Sequence, residues 1–113
     1  MINPDFALPS AAGAAGGYII DPPTTSQTGW KFENYTGGEN NISGVQQNGS
    51  GLGGPNAPNG EQQTGFIYNL GTISQNIDFK QAGDYTLSFY IAARAHALPS
   101  GSTQSIMVTN RSW

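Results

Sequence analysis

The chain contains no cysteine and a single histidine, His96, in 113 residues. Disulfides, thiolate metal sites and thiol nucleophiles are excluded, and one imidazole cannot assemble a transition-metal centre. Charge is scarce as well. Four residues are basic and 7 acidic, a charged fraction of 10% against about 25% in an ordinary soluble domain. Four scattered cations cannot build a surface that tracks phosphates, so no nucleic-acid partner is expected. No run of about 18 apolar residues occurs, so no membrane insertion is expected. Met1 is followed by Ile-Asn-Pro rather than by a basic and then an apolar stretch, so no signal peptide is expected within these residues. Leu, Ile, Val and Phe total only 21 residues, near the composition of disordered chains. The small net charge of −3 and an aromatic content of 11% instead favour a folded chain, of a length that suits one domain spanning residues 1–113.

What is present is alternation, concentrated in residues 64–92. Phe66, Tyr68 and Leu70 share one face of a candidate strand over 64–70. Ile73, Gln75, Ile77 and Phe79 then alternate with Ser74, Asn76 and Asp78, and Lys80-Gln81-Ala82-Gly83 supplies a turn. In 84–92, Tyr85, Leu87, Phe89 and Ile91 face one way and Thr86, Ser88, Tyr90 and Ala92 the other. Period two in β-branched and aromatic residues predicts three consecutive antiparallel strands, half-buried on one face. Shorter strands are expected at 18–20, 30–34 and 42–46, and a last one at 104–109. No window carries a helical stripe. Residues 7–17, 48–63 and 94–103 read as loops from their Gly, Pro, Asn and Ser content. The fold class expected is all-β, an antiparallel β-sandwich.

Candidate chemistry is limited. No nucleophile-elbow sequence accompanies His96. The carboxylates Asp5, Asp21, Glu33, Glu39, Glu61, Asp78 and Asp84 are dispersed along the chain, so enzymatic activity is not expected. No cofactor is required. A structural calcium is compatible with Asp5, Asp21, Glu33 and the Asn-rich loops, although no EF-hand spacing is present. Planar aromatics and amides remain, and these suit sugars. A pyranose offers an apolar C–H face to an aromatic ring, and its hydroxyls pair with amide and charged side chains. The candidate ligand residues are Trp30, Tyr35, Asn48, Gln75, Tyr90, Arg94 and His96. Trp30 on its strand has core packing as the competing role. If the strand through Tyr90 continues, Arg94 and His96 share its face, as a platform or as a plain surface row.

An ordered set of motifs runs through residues 2–96: Asn3-Pro4-x-Phe6, Gly29-Trp30-x-Phe32, Asn48-Gly49-Ser50, Pro58-Asn59-Gly60-x-Gln62, Gly71-x-Ile73-Ser74-Gln75, Ala82-Gly83-x-Tyr85-Thr86-Leu87-Ser88-Phe89 and Ala92-Ala93-Arg94. This set resembles the galactose-binding-like jelly-roll domains of secreted bacterial proteins, a fold shared by many carbohydrate-binding modules. The resemblance implies a jelly roll whose loops at one end carry any ligand. Ala7 stands where the family pattern has a glutamate, and Asn59 where it has an aspartate. The resemblance ends near Ala95 and implies a jelly roll lacking its C-terminal third. Exposed sheet edges would then favour a homo-oligomer. The function expected is that of a secreted or cell-surface, non-catalytic carbohydrate-binding module for a neutral or weakly acidic polysaccharide. The alternative is an adhesin or filament-type subunit that assembles through strand pairing.

Overall fold

The computed structural model describes residues 1–34, 42–92, 105, 107 and 108. It contains five strands: β1 (Tyr18–Ile20), β2 (Lys31–Glu33), β3 (Ile42–Gln47), β4 (Gln63–Tyr68) and β5 (Thr72–Ser74). A single 3₁₀ turn, Ala15–Gly17, precedes β1. All pairings are antiparallel, and no α-helix occurs among the described residues. The all-β class is therefore as the alternation predicts.

The strands form two small sheets, one ordered β1-β3-β4 and the other β2-β5. In the first, Ile19 pairs with Val45 and Val45 with Gly65. In the second, Phe32 pairs with Ile73. Val45, Phe32 and Ala11 form the buried cluster, and Phe6, Ile19, Trp30 and Ile73 pack against it. Removing a Val or Phe side chain from water stabilises by about 1.5–3 kcal/mol, so this compact cluster supplies much of the cohesion between the sheets. Ser43, fully buried on β3, bridges them through polar contacts. Its hydroxyl donates to the Thr72 carbonyl at 2.7 Å and lies 3.3 Å from the Glu33 carbonyl. One β3 side chain thus ties the first sheet to both strands of the second.

On the opposite face of β3, Gly44 lies under the Phe66 ring, and Tyr18 meets Phe66 edge-on with ring centres 6.4 Å apart. A Cβ at Gly44 would run into the Ile19 carbonyl and the Phe66 ring. Glycine is required here for close approach rather than for a special dihedral.

The N-terminal segment is docked by polar side chains. Phe6 stacks on Trp30, and the Trp30 Nε1–H donates to the Asn3 carbonyl at 2.7 Å. The Asn3 amide accepts from the Leu8 N–H at 3.0 Å and donates to the Leu8 and Thr28 carbonyls. Gln63 Oε1 accepts from the Ala11 N–H at 2.5 Å, while its Nε2 donates to the Phe6 and Pro9 carbonyls at 2.7 and 3.0 Å. These contacts hold Asn3 and Phe6 at φ of 51° and 57°, a region that costs a bulky residue about 1–3 kcal/mol unless its surroundings enforce it.

The structure departs from the sequence expectation beyond Ser74. β4 pairs with β3 and β5 with β2, so the two are not neighbours in one meander. Residues 75–92 contain no strand, and 81–92 are exposed throughout. At the turn expected over 80–83 the chain bends at 80, 81 and 83. The Phe79 and Tyr85 rings meet with centres 4.1 Å apart, and the Tyr85 hydroxyl donates to the Gln81 carbonyl at 2.6 Å. An isolated two-stranded hairpin is marginal in water, and the chain leaves the sheets after β5, so 84–92 joins no ladder among the described residues. The loops expected over 7–17 and 48–63 are present, save that β4 begins at Gln63. The loop expected over 94–103 lies outside the described residues, as does half of the segment 104–109, and the described 105, 107 and 108 are not in a strand.

Candidate functional site

Two open clefts flank the sheets. The first, about 390 Å³, is built by three parts of the chain. Asp5, Ala7, Ser10 and Ala12 come from the docked N-terminal segment, Gln47 and Asn48 from the end of β3, and Glu61, Gln62 and Gln63 from the entry to β4. The second, about 440 Å³, is lined by Thr24, Gly29, Lys31, Ser74, Gln75 and Asn76.

Asn48 shapes the first cleft. Its backbone N–H donates to the Gln62 carbonyl at 2.9 Å. Its side-chain Nδ2 donates to the Glu61 carbonyl at 3.0 Å, and its Oδ1 accepts from the Ala57 N–H at 2.8 Å. The neck of the 48–62 loop is closed by this one residue. Ser50 adds a hydroxyl bond to Gln46 Oε1 at 2.6 Å, and the Gly51 N–H reaches the Gly16 carbonyl at 2.7 Å. Gln63 fixes the opposite wall through its three bonds to residues 6–11. The walls are therefore held by internal hydrogen bonds, while the Glu61 carboxylate and the amides of Gln47 and Gln62 stand on exposed or half-exposed residues. Among the described residues no cation lines this cleft.

Among the described lining residues of the two clefts, the basic side chain is Lys31, in the second. Lys31 pairs with Glu33 Oε1 at 2.7 Å. The hydrogen bond from Lys31 and its positive charge, with a lesser bond from Thr72, hold the Glu33 carboxyl below the usual glutamate value.

Of the residues singled out from sequence, the four that are described, Trp30, Asn48, Gln75 and Tyr90, do not converge on one cleft. Trp30 is half-buried, with one face on Phe6 and its N–H committed to Asn3. Gln75 pairs with the backbone of Ile2 in both directions, accepting from its N–H and donating to its carbonyl at 2.8 Å each. It lines the second cleft beside Gly29, which adjoins Trp30, whereas Asn48 lines the first. Tyr90 is 75% exposed. Tyr35, Arg94 and His96 lie outside the described residues. Three of the expected ligand residues thus serve the packing of the chain itself.

The acids Asp5 and Glu61, dispersed in sequence, line the same cleft. Glu61, Gln47 and Gln63 were not singled out before folding, Asp5 stood only as a possible calcium ligand, and Gln62 only within a motif. The one available signal was the run of amides and acid around Glu61-Gln62-Gln63 next to a long loop. No group of three or more acidic or histidine side chains suited to a metal occurs among the described residues. Compared with protein families, curated proteins and solved structures, the chain matches none.

Proposed function

We propose that this chain is a non-catalytic carbohydrate-binding domain of the jelly-roll, galactose-binding-like kind, and that the first cleft receives a neutral sugar. The observation that carries the reading is the composition of that cleft: two carboxylates, the amides of Gln47 and Gln62, a serine hydroxyl and two alanine methyls, with no cation among the described lining residues. Amides both donate and accept, and a carboxylate accepts from two adjacent hydroxyls at once. This donor and acceptor set matches a polyol and repels an anion, so neutral polysaccharide is favoured over acidic. A volume of about 390 Å³ falls within the range of ligand sites, about 300–1,000 Å³. The aromatic platform expected from sequence is not part of this lining, and Ala7 and Ala12 supply the apolar contact instead. The antiparallel pairing and the shared core of the two sheets support the sandwich reading. Such a ligand implies a secreted or cell-surface location.

Affinity gel electrophoresis against a panel of neutral polysaccharides, with a polyuronate as the acidic member, tests the proposal. Retardation by at least one neutral polymer and none by the polyuronate is expected. Unchanged mobility in every neutral gel overturns it.

A further inference from the structure

Asn-Gly occurs twice in the sequence, at 48–49 and at 59–60. The pair is chemically labile, because glycine has no side chain to hinder its backbone nitrogen as it turns onto the preceding amide carbon. Every other described asparagine is followed by a residue with a side chain or, at Asn3, by a proline with no N–H to give up.

The two pairs differ in their surroundings. Asn48 is half-buried, and both ends of its amide are engaged, Nδ2 on the Glu61 carbonyl at 3.0 Å and Oδ1 on the Ala57 N–H at 2.8 Å. Its Cγ is open to attack only after both bonds break. Asn59 and Gly60 are exposed, and the Asn59 amide bonds to no described residue. They stand at φ of 58° and 76°, the central pair of a type I′ turn in which the Glu61 N–H donates to the Pro58 carbonyl at 3.2 Å. The Gly60 N–H has no partner among the described residues, and a Cβ built on Gly60 would meet nothing within 4 Å. The space around this pair admits water and hydroxide and lets ammonia depart.

We propose that Asn59 is a site of spontaneous modification, where the side-chain amide is lost to give aspartate or isoaspartate, and that Asn48 is protected by its two bonds. Hydroxide takes the Gly60 amide proton, and the nitrogen attacks Asn59 Cγ to close a succinimide ring. The Cγ–Nδ2 bond breaks, and that nitrogen, protonated by water, leaves as ammonia. Water then adds at Cγ to give aspartate, or at the main-chain carbonyl carbon to give isoaspartate, whose backbone runs through the side chain. In sum, water is consumed and ammonia released, with no change of oxidation state.

Either product adds a negative charge close to Glu61 on a chain whose net charge is −3. Isoaspartate also lengthens the backbone by one methylene inside the turn that leads to β4. Loss of Nδ2 at Asn59 removes no hydrogen bond to a described residue, so the fold tolerates it. The same loss at Asn48 would take away the bond to the Glu61 carbonyl and open the neck of the loop.

Incubation of the whole chain in warm, mildly alkaline buffer, followed by isoelectric focusing and site-resolved tandem mass spectrometry, tests this. In the folded chain, position 59 should convert at least about tenfold faster than position 48, the protection expected of two hydrogen bonds. In guanidinium chloride the two positions should convert at comparable rates, since both are then unrestrained Asn-Gly pairs. Asn59→Asp, which tolerates the left-handed conformation, should focus from the start where the aged unmodified chain focuses. Conversion at 48 as fast as at 59 in the folded chain would overturn the proposal. So would a position 59 that stays intact in the folded chain while the unfolded chain reacts.

Discussion

Phe6 lies almost flat on Trp30, with ring centres 4.7 Å apart and 19° between planes. The stack covers one face of the indole and fixes the N-terminal segment that forms one wall of the first cleft. Removing a fully buried aromatic costs about 3–5 kcal/mol. Trp30 is half-buried, so Trp30→Ala should lower stability in urea unfolding by about 2–4 kcal/mol. Trp30→Phe keeps the stack and loses the bond to Asn3, and should cost about 1 kcal/mol.

Gln63 is 7% exposed, and its amide answers three backbone groups of residues 6–11. Gln63→Leu fills the volume and leaves one N–H and two carbonyls unpaired. Each buried unsatisfied group costs about 1–3 kcal/mol, and water entry at the open cleft relieves part of this. A loss of about 2–4 kcal/mol is expected, with hydrogen exchange at the Ala11 amide accelerated by at least tenfold. An exchange rate equal to that of the unmodified chain would show that the amide is held by something else.

Two glycines separate close packing from backbone conformation. Gly44→Ala places a methyl against backbone and should cost about 1–3 kcal/mol or more. Gly13 has φ of +81° with nothing within 4 Å of an added Cβ, so Gly13→Ala should cost only the left-handed penalty, about 1 kcal/mol. Thermal unfolding of the two variants side by side should show the larger shift for Gly44→Ala.

Glu33 titrates below the ordinary glutamate value because Lys31 bonds to its carboxylate and attracts it. A carboxylate whose folded pKa is depressed contributes stability that is present above the unfolded pKa. That contribution is lost as pH falls through the folded value. Lys31→Met should move the Glu33 carboxyl upward in an NMR titration. It should also flatten the fall in stability between the ordinary glutamate value and the lowered one. Both residues are solvent-exposed to a large degree, so the effect on stability is small and shrinks with added salt.

Short strands were legible where residue type and local turns decide them. Tyr18–Ile20 is bounded by Asp21, Ile42–Gln47 by the Asn48-Gly49 turn, and both lie where the sequence pattern puts them. Sheet order was not legible, because β1-β3-β4 and β2-β5 depend on contacts between distant segments. Residues 84–92 show the limit of alternation, which states how a strand would face and not whether a ladder is available. The cleft was hidden for a similar reason. Asp5 and Glu61 lie 56 positions apart and share a wall only after Gln63 anchors the N-terminal segment. Gln63 itself, among Gln62, Thr64 and Glu61, reads as a solvated residue until its partners are seen.

The most direct measurement compares the unmodified chain with Glu61→Gln and Asp5→Asn in affinity gels of whichever neutral polysaccharide retards it. Glu61 is exposed and Asp5 makes one local bond, to the Ala7 N–H at 3.2 Å, so both variants should fold normally. Hydrogen bonds to a charged group contribute about 1.5–3 kcal/mol, so each variant should bind about tenfold more weakly or worse at an unchanged melting temperature. Retardation equal to that of the unmodified chain in both variants would contradict sugar binding at this cleft.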